Sequence, residues 1–130
     1  MSEPTFLSPE EILFIHHQEI QAAGGAPGIR DQEGIQACAA APKTSFGGDY
    51  LHDLFGMAAS YIVCLSMRHP FVDGNKRTAL ASALTFLHLN GYSIEEYYDE
   101  ELADLLLNFV MRNISKEDIA EHFKSRAFKR

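Results

Sequence analysis

The residues from His69 to Thr78 carry side chains that are suited to chemistry. They read His-Pro-Phe-Val-Asp-Gly-Asn-Lys-Arg-Thr, so an imidazole, a carboxylate, a carboxamide and two cations lie close together along the chain. An imidazole titrates near neutrality and can take a proton from a hydroxyl, which makes His69 a candidate general base. Asp73 is a candidate Mg²⁺ ligand, because Mg²⁺ prefers one or two carboxylates together with phosphate oxygens.

The residues after Asp73 predict an anion site at the start of a helix. Gly74 allows the backbone to approach a ligand closely, and the N–H groups that follow it would hold phosphate. Cations at a helix start oppose the helix dipole, so Lys76 and Arg77 are best explained by a multiply charged anion. Each residue alone would fit an ordinary turn or cap, but the cluster favours phosphoryl or nucleotidyl transfer. The sequence has no GxxxxGK[ST] phosphate loop.

The flanking sequence predicts helices on both sides of this turn. A 3.6-residue apolar period runs from Leu51 to near Met67, and another runs from Asn75 to a stop at Asn90-Gly91. Further helices are predicted from the capping box at Ser8 to Gly24, from Asp31 to Pro42, from Asp99 to Val110, and after Ser115. Six helices with almost no strand signal predict a single all-α domain over residues 1–130. Between the second and third helices, the adjacent glycines of residues 43–50 predict an exposed loop or hairpin.

Composition and charge exclude several classes of function. The 130 residues are 46% apolar and 22% charged, which is typical of one soluble globular domain. A net charge of −7 argues against a broad grip on nucleic acid or on an anionic membrane. The N-terminus lacks the basic and apolar segments of a secretory signal, and the apolar stretch Leu54–Met67 is too short to span a bilayer. We therefore expect a cytoplasmic protein.

The cysteines and the remaining polar residues are interpreted as structural. Two cysteines are too few for a metal knuckle or a disulfide framework, so Cys38 and Cys64 are expected to be small buried hydrophobic residues. His16 and His17 are adjacent and cannot form a metal pair on one helix face, so we expect both at the surface. Arg30 and its neighbour Asp31 are expected to form a helix cap with a local ion pair.

The segment His69-Pro-Phe-Val-Asp-Gly-Asn-Lys-Arg77 resembles the HxFx(D/E)(G/A)NxxR signature of the Fic/Doc family, and most closely its death-on-curing (Doc) branch. The similarity covers roughly residues 7 to 125. It includes the segments Gly28-Ile-Arg-Asp31, Ala41-Pro42, Phe46-Gly-Gly48, Phe86-Leu87 and Asn90-Gly91. The resemblance implies a compact helical fold of about six helices, and membership of a bacterial type II toxin–antitoxin pair.

Two chemistries occur among proteins with this signature. The AMP-transferring Fic enzymes typically read HxFx(D/E)GNGRxxR, with a glycine after the asparagine and a second arginine that binds nucleotide phosphates. This chain has Lys76 and Leu80 at those two positions. Both departures match the Doc branch, for which the implied activity is ATP-dependent phosphorylation of a Ser or Thr hydroxyl of a translation factor of the elongation factor Tu type. AMP transfer and a non-catalytic binding module are the alternatives.

The resemblance also implies a role for each motif residue. His69 is the base, Asp73 the Mg²⁺ ligand, and Arg77 a catalytic residue. Phe71 is the inward-packed aromatic of the motif. The residues implied to bind the phosphates of ATP are Gly74, Asn75, Lys76 and Arg77. The glycine-rich segment Lys43–Tyr50 falls where the family has a substrate flap, which here comprises Ser45, Phe46, Gly47 and Gly48.

The resemblance further implies an outside inhibitor. Some Fic proteins carry an internal inhibitory helix with the pattern [ST]xxxE[GN], and this sequence has no such pattern. A Doc-type toxin is neutralised by a cognate antitoxin with a partly disordered tail. We expect that tail to dock between the first helix and the helix that follows the motif.

Overall fold

The computed structural model describes residues 3–94, 104, 106, 108–109 and 113–130. Its helices are α1 (Pro9–Ala23), α2 (Gln32–Ala40), α3 (Leu54–Arg68), α4 (Asn75–Leu89) and α5 (Lys116–Arg126), with a 3₁₀ turn at Ala41–Lys43. Its strands are β1 (Ser45–Phe46), β2 (Asp49–Tyr50), β3 (Tyr92–Ile94) and β4 (Ala127–Lys129). The predicted all-α class is confirmed, because the strands of the described residues form only two short antiparallel sheets, β1–β2 and β3–β4. Of the helix predicted from Asp99 to Val110, residues 104, 106, 108 and 109 are described and are helical, and the rest lies outside the described residues.

Local capping sets the helix boundaries. The hydroxyl of Ser8 accepts from the N–H of Glu11 at 3.1 Å, and the Glu11 carboxylate accepts from the N–H of Ser8 at 2.9 Å. This reciprocal pair satisfies two N–H groups that a helix start leaves free. At α3 the carboxylate of Asp53 accepts from the N–H of Gly56 at 2.8 Å. The apolar period alone predicted a start at Leu51. The cap at Asp53 explains why α3 begins at Leu54 instead.

Helix α3 runs through the centre of the core, where it packs against α2, α4 and α5. The small residues Ala58 and Ala59 are fully buried, which lets the neighbouring helices approach closely. Tyr61 is also fully buried, and its hydroxyl accepts the N–H of Leu7 at 2.9 Å. Burial raises the pKa of Tyr61 to about 12, so the phenol stays protonated. No described helix has the length and hydropathy needed to cross a membrane.

A disulfide joins Cys38 of α2 to Cys64 of α3, so the prediction that both cysteines are only small buried hydrophobic residues was wrong. Cys38 is fully buried, as predicted, whereas Cys64 is only partly buried, and the two Cα atoms lie 5.4 Å apart. A count of two excludes a framework of several bridges but does not exclude a single bridge. The pairing depends on how α2 lies on α3, which the apolar period of each helix does not specify.

The segment between α2 and α3 forms a β-hairpin, which was one of the two predicted possibilities. Ser45 pairs with Tyr50 and Phe46 with Asp49. The connecting Gly47 and Gly48 both have positive φ, at 61° and 90°, as a two-residue type I′ turn requires. The second sheet, in which Tyr92–Ile94 pairs with Ala127–Lys129, was not predicted, because strands of three residues give too little alternation to detect.

Candidate active site

The turn between α3 and α4 begins at His69. This residue is the C-cap of α3, and its backbone lies in the left-handed region with φ 49° and ψ 57°. It is the only non-glycine residue with positive φ among those the structure describes. The guanidinium of Arg30 donates to the carbonyl of His69 through Nε at 2.9 Å and Nη2 at 2.6 Å, and to that of Arg68 at 3.0 Å. These bonds satisfy carbonyls that a helix end leaves free. A backbone conformation of this rare kind, fixed from outside, is typical of a functional site.

The predicted pairing of Arg30 with its neighbour Asp31 was wrong. Asp31 is the N-cap of α2, where its carboxylate accepts from the N–H of Gly34 at 3.0 Å. Its other oxygen lies 3.9 Å from the guanidinium of Arg68. The Asp31 side chain therefore supports both the start of α2 and the end of α3. The Arg30 side chain instead donates hydrogen bonds to the main-chain carbonyl of His69.

Main-chain bonds from the loop between α1 and α2 (residues 24–31, hereafter the α1–α2 loop) hold the next part of the turn. The carbonyl of Pro70 accepts the N–H groups of Arg30 at 2.7 Å and Asp31 at 2.9 Å. The N–H of Val72 donates to the carbonyl of Gly28 at 3.0 Å, and Ile29 opposes Phe71 in an antiparallel bridge. Loop and turn therefore form one short two-stranded unit.

Phe71 and Asn75 close the turn from inside. Phe71 is 1% exposed, which confirms that the motif aromatic packs inward. The carboxamide of Asn75 accepts the N–H of Phe71 at 3.0 Å and donates to the Phe71 carbonyl at 2.9 Å. Since this side chain is engaged with the turn, the group that Asn75 offers to an anion is its main-chain N–H.

The Asp73 carboxylate is exposed and held by two backbone N–H groups. Its Oδ2 accepts from Ala26 at 3.1 Å and its Oδ1 from Gly74 at 2.8 Å. The bonds from Ala26 and then Gly74, together with the positive charge of Arg77, lower the pKa of Asp73 below its ordinary value. The group is therefore ionised at neutral pH, and each oxygen keeps a lone-pair site for a further partner.

The α1–α2 loop also fits closely around Asp73 and Arg77. The guanidinium of Arg77 donates to the carbonyl of Gly24 at 2.9 Å. A Cβ at Gly25, where φ is 118°, would lie 2.8 Å from the Oδ2 of Asp73. Only glycine combines that backbone conformation with that clearance, so Gly25 is needed for Asp73 to keep its place.

No side chain among the residues that the structure describes caps the start of α4. Gly74 has φ 76°, and the first main-chain bond of the helix runs from Thr78 to the Gly74 carbonyl at 2.9 Å. The N–H groups of residues 75–77 precede that bond and point out of the helix start, where the helix dipole favours an anion. Lys76 is exposed beside them.

These groups line one cavity of about 470 Å³ at the surface. Its lining residues are His69, Val72, Asp73, Gly74, Asn75, Lys76 and Arg77. The structure thus brings together every residue predicted for catalysis, metal binding and phosphate binding. Within the described part of the chain, no three His, Cys, Asp or Glu side chains come together as a metal cage. A single ionised carboxylate beside an anion site fits Mg²⁺, which takes its other ligands from phosphate and water.

The predicted flap residues Ser45, Phe46, Gly47 and Gly48 do not line this cavity. The hairpin contacts the N-terminal segment, where Tyr50 donates to the carboxylate of Glu3 and lies edge-on to Phe6 at 5.5 Å. Phe46 is 84% exposed. The hairpin therefore presents an apolar side chain to solvent, and its predicted substrate role stays a prediction.

His16 of α1 is a site residue that the sequence analysis missed. It is 6% exposed, so the prediction that it lies at the surface was wrong, whereas its neighbour His17 is exposed as predicted. Its ring stacks on that of Phe71, and its Nε2 lies 2.8 Å from the carbonyl oxygen of Asp73. The signal that could have found it is spacing, because Ile12, His16 and Ile20 lie four residues apart on one helix face.

Comparison with known proteins identifies the class of protein that this fold and site define. The model of the Fic/DOC family matches residues 6–87, and the chain belongs to that family. It is 36% identical over 115 residues to the protein named Protein kinase doc of Escherichia phage P1, with 88% of this chain and 90% of the relative covered. It is also 41% identical over 90 residues to the protein named Toxin Doc of Mycolicibacterium smegmatis, with coverage of 68% and 69%.

Proposed function

We propose that this protein is a Doc-type toxin that transfers the γ-phosphoryl group of ATP to a Ser or Thr hydroxyl of a translation factor, of the elongation factor Tu type, and so inhibits growth. The observation that carries the proposal is the cavity that gathers His69, Asp73 and the start of α4. The names of the two relatives, a protein kinase and a toxin, support it.

The positions that differ from the AMP-transferring pattern favour phosphoryl transfer. Lys76 is exposed on the cavity wall, where it adds bulk and charge beside the helix start. Leu80, which stands where those enzymes have a second arginine, packs against the hydrophobic core and offers no donor to a phosphate. The site therefore lacks one of the side chains with which the AMP-transferring enzymes hold a nucleotide.

The residues of the cavity have separate roles in the proposed reaction. His69 takes the proton of the acceptor hydroxyl, whose oxygen bonds to the γ-phosphorus as the bond from that phosphorus to the bridging oxygen breaks and ADP leaves. Lys76 and the N–H groups of residues 75–77 stabilise negative charge on the phosphates. Asp73, ionised by its environment, is the residue that would hold Mg²⁺. When bound, the ion would supply positive charge to the phosphate oxygens. Arg77, anchored on the carbonyl of Gly24, holds its charge at the edge of the cavity.

The test measures phosphoryl transfer by the His69→Ala variant. A translation factor is incubated with the enzyme and MgATP, and its mass is then measured by intact-protein mass spectrometry. Loss of a general base should reduce transfer by about 100-fold or more and leave MgATP affinity little changed. His69→Asn is the matched variant, because asparagine tolerates the left-handed backbone at this position. The exposed His88 provides the control variant His88→Ala, which should transfer normally.

Each other result rejects part of the proposal. Substantial turnover by His69→Ala would reject the general-base role. An adenylyl mass increment on the target, in place of a phosphoryl increment, would assign AMP transfer. Growth inhibition that survives His69→Ala would indicate a non-catalytic binding module.

We also propose that a cognate antitoxin restrains this activity, with an amphipathic segment docked between α1 and α4. The lack of an [ST]xxxE[GN] pattern in residues 1–130 supports this proposal, because that pattern is the one by which some Fic proteins restrain themselves. The toxin named among the relatives supports it as well. Hydrogen exchange at residues 8–25 should slow when the antitoxin is added, and unchanged exchange would show that the placement is wrong.

A further inference from the structure

His16 has two contacts with the motif turn (residues 69–77), one apolar and one polar. Its ring lies parallel to that of Phe71, with centroids 3.7 Å apart and an interplanar angle of 5°. Its Nε2 lies 2.8 Å from the main-chain oxygen of Asp73, two residues further along. A single buried side chain of α1 therefore contacts both Phe71 and Asp73, and Asp73 is the proposed metal ligand.

The polar contact determines which ring nitrogen carries a proton. A carbonyl oxygen only accepts hydrogen bonds, so a ring nitrogen at this distance must be an N–H donor. The proton therefore lies on Nε2 of His16. A phenylalanine at this position could form the same ring stack, so the stack alone does not explain why an imidazole is present.

The bond to the Asp73 carbonyl bears on the carboxylate of the same residue. The Asp73–Gly74 peptide presents its oxygen to α1, and the N–H of Gly74 in the same peptide unit donates to Oδ1 of Asp73 at 2.8 Å. Holding the carbonyl thus fixes the plane of that peptide, and with it the direction of the N–H that orients the carboxylate. The second support of the carboxylate is the N–H of Ala26, which donates to the other oxygen, Oδ2, at 3.1 Å.

We infer that His16 is a positioning residue: its Nε2–H holds the Asp73–Gly74 peptide so that the Asp73 carboxylate faces the cavity. This inference rests on the proposed function, in which that carboxylate holds the Mg²⁺ of MgATP. The residues that line the cavity do not include His16, so we expect it to act through Asp73.

Two substitutions separate the polar contact from the apolar one. His16→Phe keeps the stack on Phe71 and removes the donor, whereas His16→Gln keeps an N–H donor at about the position of Nε2 and removes the ring. The matched controls are His17→Phe and His17→Gln, because His17 is the exposed neighbour on the same helix. Thermal unfolding establishes that each variant is folded before binding and kinetics are measured.

We expect His16→Phe to weaken MgATP binding and raise its KM by about tenfold, the effect of losing one hydrogen bond, with a smaller fall in kcat. His16→Gln should restore binding to within about threefold of the wild type, and both His17 variants should match the wild type. In the absence of any nucleotide, ¹⁵N NMR should show the proton of His16 on Nε2. The amide signal of Gly74 should move in His16→Phe and return towards its original position in His16→Gln.

Several results would overturn the inference. One is a folded His16→Phe with wild-type MgATP affinity and an unmoved Gly74 signal, which would make His16 a packing residue only. Others are a neutral His16 ring with its proton on Nδ1, and equal losses in folded His16→Phe and His16→Gln. If His16→Phe does not fold, His16→Gln decides: retained affinity supports the inference, and lost affinity in a folded protein overturns it. Absence of phosphoryl transfer by the wild type would instead contradict the proposed function, and the NMR measurements would still judge His16.

Discussion

The motif turn and the hairpin of residues 45–50 are both short connections between helices, but they are held in different ways. The main chain of the turn is hydrogen-bonded to the α1–α2 loop. The side chain of Asn75 bonds the main chain of Phe71, and the ring of His16 stacks on the ring of Phe71. The hairpin is exposed at every residue, and it contacts the rest of the chain through Tyr50. Groups that stabilise charge must be fixed before the ligand arrives. A segment that docks a partner needs only to be accessible.

The largest expected difference between the two regions concerns an aromatic ring. Phe71 is 1% exposed and Phe46 is 84% exposed. Phe71→Ala should lower the free energy of unfolding by about 3 to 5 kcal/mol, because it leaves a cavity in the core. Phe46→Ala should change it by less than about 0.5 kcal/mol. Urea unfolding of the two variants measures both values, and similar losses would show that the turn is no better anchored than the hairpin.

A second comparison uses one glycine from each region. Gly25→Ala introduces a Cβ 2.8 Å from Asp73 Oδ2 at a φ of 118°, so it should cost about 1 to 3 kcal/mol and weaken MgATP binding. Gly47→Ala has a φ of 61° and meets no atom within 4 Å. It should cost about 1 kcal/mol through the left-handed backbone alone and leave MgATP binding unchanged. Calorimetric titration with MgATP checks both, and a normal affinity in Gly25→Ala would contradict the close fit around Asp73.

A third comparison separates the two substrates of the proposed reaction, MgATP and the target protein. Lys76→Ala removes a cation from the cavity wall and should weaken MgATP binding by about tenfold, since hydrogen bonds to charged groups are the stronger ones. Phe46→Ala should leave MgATP binding unchanged and raise KM for the protein substrate. Steady-state kinetics with each substrate varied in turn measures both effects. An increase in KM for MgATP in Phe46→Ala would place the hairpin at the nucleotide instead.

The smallest expected effect is a pH dependence at Asp73. Its pKa in the folded protein is lowered by the N–H groups of Ala26 and Gly74 and by Arg77, so the fold favours the ionised form. This contribution to stability is present above the pKa of an unfolded aspartate and is lost as the pH falls through the lower, folded pKa. The stability difference between wild type and Asp73→Asn should therefore narrow as the pH is lowered from about 5 to about 3.

The control for this effect is Asp49→Asn, which removes one exposed carboxylate from the hairpin. Denaturation midpoints across the same pH range measure both differences. A difference between wild type and Asp73→Asn that stays constant over this range would show that the N–H groups do not favour the ionised form.

The features that could be predicted from the sequence are those determined by neighbouring residues. The capping box at Ser8 and the N-cap at Asp31 each join groups three residues apart, so the local sequence specifies them. The start of α4 after Gly74 and the turn at Gly47-Gly48 follow from local backbone preference in the same way. The motif residues were also predicted together, because they are consecutive along the chain.

The features that could not be predicted depend on where distant segments meet. Arg30 reaches the carbonyl of His69 only because the α1–α2 loop pairs with the turn. Cys38 reaches Cys64 only because α2 lies on α3. His16 was predictable in part, since it shares a helix face with Ile12. Spacing indicates that it faces inward, but not that it meets Asp73.

The central claim is that the motif turn is a preformed site for the phosphates of MgATP. An NMR titration of the ¹⁵N-labelled wild type with MgATP tests it most directly. We predict that the largest shifts occur at the amides of residues 73–77 and at the His69 ring, with the hairpin amides of residues 45–50 unchanged. Shifts that are largest in the hairpin, or an absence of shifts in the turn at saturating MgATP, would contradict the account.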